Sequence, residues 1–103
     1  MVLKLTKSIN DTYYNNYLIN QLLRSSASAA LNYGEAQSAE SRKDFIHKLS
    51  IVLKELRESH INLKIFSEAQ IINDERKMTQ ALDESNQLVS IFYTTIQTAK
   101  NNQ

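Results

Sequence analysis

The chain has 103 residues, no cysteine, no proline and one glycine, Gly34, and its twelve Lys+Arg against eleven Asp+Glu leave a formal charge of +1. That length fits one domain, and the composition excludes a disulfide framework, a thiolate zinc site and a cysteine nucleophile. The near-neutral balance is far from the strongly basic profile that announces nucleic-acid binding by itself, so any such role has to come from local patterning.

With turn and strand punctuation almost missing, helix is the default state, and the spacing of apolar residues predicts one all-α domain over 1–103. Val2, Leu3, Leu5 and Ile9 suggest two turns of a first helix over about 2–9, broken by Asn10-Asp11. A second helix is expected over 13–37, where Tyr14, Leu18, Leu22, Ser25, Ala29, Asn32 and Ala36 share a face. Inside it, Ser25-Ser26-Ala27-Ser28-Ala29-Ala30 holds no side chain larger than a hydroxymethyl, so a neighbouring backbone can approach closely. Asn32, if buried on that seam, needs a hydrogen-bond partner. Arg24 and Glu35 flank the small-residue run and are candidates for interhelix or intersubunit contacts.

Either Ser38 or Ser41 can cap the next helix, with Glu40 near its positive end. This third helix, over about 40–66, carries the strongest period: Phe45, Leu49, Val52, Leu56, Ser59, Leu63 and Phe66 repeat at 4-3 spacing, the seam of a left-handed bundle. Asn73-Asp74-Glu75 reads as a cap with an acidic first turn, and Met78, Leu82, Ser85, Val89, Phe92, Ile96 and Ala99 repeat the same spacing over about 74–100. Two long helices sharing a period pack antiparallel at a shallow angle. Apolar residues off the seams, including Ile46, Leu53, Ile61, Leu88 and Ile91, make the stripes wide enough to serve a multi-helix core or another subunit.

Catalytic signals are weak. No histidine or acid stands at a position matching the serine run, and Gly34 forms no G-x-S-x-G elbow. His47 and His60 form no H-E-x-x-H pair, and Glu55 with Glu58 or Asp74 with Glu75 read as solvated helix charge and cap. The expectation is a non-enzyme with no cofactor, no metal and no small-molecule substrate. No run approaches the roughly 18 apolar residues of a membrane span, and Met1 to Lys7 resembles no export signal, so no membrane association and a cytoplasmic location are expected.

The most suggestive polar pattern lies on the third helix, where Lys43, His47, Ser50, Lys54, Arg57, Ile61 and Lys64 repeat the 4-3 spacing on a face of their own. Six cations and four acids over 39–66 leave +2, whereas three cations and five acids over 67–103 leave −2. Lys43, His47, Lys54, Arg57 and Lys64, with Arg24 a weaker addition, are therefore candidate nucleic-acid contacts. The alternative is an ordinary wet face neutralised by the i,i+4 pairs Asp44–Lys48 and Lys54–Glu58. A different function, docking of a partner protein on exposed apolar surface, points to Ile51 and Ile61.

Leu23-Arg24-Ser25, Asn32 followed by Glu35 on a small-residue helix, Phe45-Ile46 and then Leu49-Ser50 occur in an order and spacing that resemble the bacterial four-helix bundle proteins, also called the 23S rRNA intervening-sequence protein family. The resemblance spans roughly Leu3 to Lys100. It implies an antiparallel up-and-down four-helix bundle, here with a shortened first helix, since Leu3 to Lys7 matches only the end of the longer helix that opens other members. It also implies a ring-like homo-oligomer, commonly a pentamer. It extends to the accessory protein of diversity-generating retroelements, which binds a reverse transcriptase and nucleic acid through a basic surface. No catalytic residue comes with it.

Overall fold

A computed structural model describes residues 13–69 and 74–102. The expected helix over 2–9, and with it the shortened first helix, lies outside the described residues. Among the described residues there are three helices and no strand: α1 (Tyr13–Gln37), α2 (Arg42–Glu68) and α3 (Glu75–Asn101). The body measures 47 × 21 × 16 Å, close to the length of one 27-residue helix laid along its axis.

Local chemistry sets the helix ends. α1 closes with two tight turns, the Ser38 and Ala39 N–H groups donating to the carbonyls of Glu35 and Ala36 at 3.1 Å. Of the two candidate serines, Ser41 is the cap of α2: its hydroxyl accepts from the Asp44 N–H at 3.0 Å, so the helix starts at Arg42 rather than at 40. At the head of α3 the Asp74 carboxylate accepts from the Lys77 N–H at 3.0 Å, and Lys100 sits in the last turn against the negative end of the dipole.

Helix α2 is the centre of the arrangement. Both other helices pack on it antiparallel, as the cross-contacts show: Arg24 reaches Glu58 while Glu35 reaches Lys48, and His60 meets Ser85 while Arg42 meets Asn102. No Cα atoms of α1 and α3 approach within 8 Å. Those two helices meet through side chains, including an edge-to-face pair of Tyr33 and Phe92 with ring centroids 5.6 Å apart.

The core is divided into two clusters. One gathers Leu22, Leu63, Phe66, Met78 and Ala81, and the other Ala36, Ile46, Leu49, Leu53 and Ile96. Between them the seam positions are small and buried: Ser25 and Ala29 of α1, Ser59 of α2 and Ser85 of α3. The Ser59 and Ser85 hydroxyls donate back to their own helices, to the carbonyls of Glu55 and Leu82 at 3.0 Å. This thin middle lets helices approach, and it leaves a groove of about 660 Å³ between α1 and α3, floored by Leu49, Val52 and Leu56 and walled by Ala30, Leu88 and Ile91. The 4-3 seam of α2 thus supplies both buried core and the floor of the groove, and the off-seam Ile46 and Leu53 are buried as well.

Candidate nucleic-acid interface

The face of α2 opposite the groove is the candidate site. Lys54 stands two residues from both Val52 and Leu56, about 200° around the helix from each, so a helix floored by those two residues turns Lys54 outward. Lys43, His47, Ser50, Lys54, Arg57, Ile61 and Lys64 are all exposed. From Lys43 to Lys64 the row extends about 32 Å at the helical rise.

Two cations near this row, Arg24 of α1 and Lys48 of α2, are paired across the α1–α2 seam and do not belong to it. The Arg24 guanidinium lies 3.1 Å from a Glu58 carboxylate oxygen and 3.6 Å from Glu55. The Lys48 ammonium lies 2.8 Å from Glu35. That hydrogen bond and the charge behind it hold the Lys48 pKa above its ordinary value. The helical-neighbour pairs Asp44–Lys48 and Lys54–Glu58 do not form. The small-residue run brings α1 close enough that Arg24 and Glu35 take Glu58 and Lys48 instead. Among the described residues, Lys43, Lys54, Arg57 and Lys64 make no ion pair. Arg24, proposed from sequence as a further contact, is thus committed to the α1–α2 seam.

The two histidines part company. His47 stands in the exposed row. His60 turns toward α3, where its Nδ1 lies 2.6 Å from the Ser85 Oγ. Because the Ser85 hydroxyl donates to the Leu82 carbonyl, its oxygen accepts from a protonated Nδ1. Burial, and secondarily the charge of Lys64, lowers the His60 pKa below its usual value. This pairing carries no signal in the sequence, since the two residues are 25 apart on different helices. Asn32 finds its partner within its own helix, the Ser28 carbonyl at 2.9 Å.

Of the two apolar contact candidates, Ile61 is 56% exposed and interrupts the cationic row, while Ile51 is half-buried beside it. Among the described residues no three His, Asp or Glu side chains gather as metal ligands, and no helix is long and apolar enough to cross a membrane.

The arrangement is that of a helical-bundle protein with one cationic helix face and one open apolar groove on opposite sides. The chain belongs to the 23S rRNA-intervening sequence protein family, whose model matches residues 1–94. It is similar to the crystal structure of a protein of unknown function from the S23 ribosomal protein family of Bacteroides thetaiotaomicron VPI-5482, at 27% identity and a TM-score of 0.80, covering 92% of this chain and 87% of that one. No curated protein matches it.

Proposed function

We propose that this protein is a non-catalytic, oligomeric helical-bundle protein that contacts RNA or a ribonucleoprotein through Lys43, His47, Lys54, Arg57 and Lys64. The observation that carries this reading is the row of four exposed cations on one face of α2 that have no carboxylate partner among the described residues. Unpaired cations keep their field available to phosphates, and each contact releases condensed counterions. The test is RNA retention at low salt. Retention that falls steeply with added salt and is lost in the Lys54→Glu, Arg57→Glu double variant supports the reading; retention unchanged by those reversals removes it.

The same proposal includes a fourth helix and an assembly, both in the cytoplasm. The spacing of Val2, Leu3, Leu5 and Ile9 in the sequence would suit two turns of such a helix, and the open groove offers apolar surface whose burial is worth about 25 cal/mol per Å². A closed homo-oligomer, a pentamer by family resemblance, would bring several copies of a modest cationic row together, and a relation to the retroelement accessory protein would add a protein partner. Light scattering coupled to size exclusion measures the assembly directly, and a monomeric mass at micromolar concentration sinks that part.

The exposure of Ile61 favours a second reading, in which a partner protein docks on this face. A partner lost on Ile61→Asp but retained on Lys54→Glu decides for it.

A further inference from the structure

We propose that Tyr93 of α3 is a base-stacking platform beside the cationic row, and that the RNA bound there is single-stranded. This rests on the reading of the α2 face as an RNA surface and names the class of RNA it takes.

Helical geometry locates Tyr93. Val89 and Ile96 pack into the cluster formed with Ile46, Leu49 and Leu53 of α2, which fixes the line of α3 that faces α2. Phe92 departs from that line toward the groove, where its ring meets Tyr33. Tyr93 follows by about 100° and therefore departs on the other flank, the one that borders the cationic face. Its height follows from the antiparallel register: with His60 against Ser85 and Ile46 clustered with Ile96, Tyr93 stands level with Ser50, between His47 and Lys54.

A tyrosine that is 50% exposed, with no ring partner among the described residues, is available for stacking. Lys100, seven residues on and exposed, continues the same flank level with Lys43. Lys64 carries the row on away from the ring, to an end where charge is mixed: Glu68 follows it by one helical turn, and α3 opens with Asp74 and Glu75 beside Arg76 and Lys77. The favourable patch is thus Lys43, Lys54, Arg57 and Lys100 around one ring. Cations along a backbone track with an aromatic between them is the arrangement that holds unpaired bases, whereas a duplex hides its base faces and has no use for the ring.

The test measures binding at low salt of a labelled unstructured RNA of about 16 nucleotides, the same strand annealed to its complement, and the corresponding single-stranded DNA. The single strand should bind about tenfold tighter than the duplex, and Tyr93→Ala should weaken it by about tenfold while leaving duplex binding and the melting temperature unchanged. Tyr93→Trp should keep the affinity and, as the only tryptophan in the chain, lose fluorescence on binding; equal affinity for the DNA strand supports the same stacking contact. Duplex bound as tightly as single strand, or single-strand affinity unmoved by Tyr93→Ala, overturns the inference while loss of binding in the Lys54→Glu, Arg57→Glu variant leaves the RNA surface standing. Failure to retain any of the three nucleic acids overturns both.

Discussion

The Arg24 guanidinium on α1 bonds the Glu58 carboxylate of α2 at 3.1 Å and lies 3.6 Å from Glu55, a carboxylate that is only 6% exposed and whose Oε2 makes no hydrogen bond. Arg24 is the ion-pair partner of this buried charge, and the pair ties the centre of α1 to the centre of α2. Removing the arginine leaves a buried carboxylate uncompensated.

Arg24→Ala should therefore lower stability by about 1–2 kcal/mol, the half-exposed position of the guanidinium keeping the loss below that of a fully buried pair. Adding Glu55→Gln should recover most of it, because a neutral amide no longer needs the counter-charge. Urea denaturation of the two single variants and the double variant measures the coupling.

Ser25 has no exposed surface at the point where α1 crosses α2. Ser25→Leu should force the helices apart and destabilise the protein by about 1–3 kcal/mol, as overpacking does. Ser25→Ala should change little, since its side chain fits the same space. Thermal melts distinguish the two.

Gly34 lies inside α1, and a Cβ built there meets nothing within 4 Å. Gly34→Ala should raise stability by about 0.5–1 kcal/mol through the helix backbone entropy that glycine forfeits. A loss of stability in chemical denaturation would show that another surface packs on this point of α1.

The lowered pKa of His60 makes the folded state prefer the neutral ring. Below the unfolded value of about 6.5 the unfolded chain binds more protons than the folded one. Stability from this group is therefore full above that pH and falls as the pH drops toward the lowered folded value. The melting temperature of the wild type should decline on acidification through this window, and His60→Gln should flatten the decline relative to wild type.

Because Lys54 and Arg57 make no ion pair among the described residues, charge reversal at both should leave folding stability within about 0.5 kcal/mol. Calorimetry on the double variant checks that a loss of RNA retention reports on the surface and not on the fold.

Much of the helical layout is legible in the residues themselves. Ser41 and Asp74 cap because their oxygens reach an N–H three positions on, an interaction contained in one turn of chain. The exposed row is legible for the same reason, since spacing along one helix settles which side chains share a face. The local rule misled where a competitor came from another helix. Lys48 and Glu58 sit four residues from suitable partners, yet Glu35 and Arg24 take them, because interhelix distances depend on how closely the small-residue run lets α1 approach.

What the sequence determined by itself is that Lys43, His47, Lys54, Arg57 and Lys64 share one helix face despite a net charge of only +1, because periodicity needs only the helical repeat. Which of those cations stay unpaired, that Arg24 is held by Glu58 and Glu55 across the α1–α2 seam, that His60 meets Ser85 and that Tyr93 borders the row were decided only by tertiary structure. Each depends on the relative placement of helices, and that placement comes from non-directional burial of two apolar clusters that no spacing rule within one helix contains.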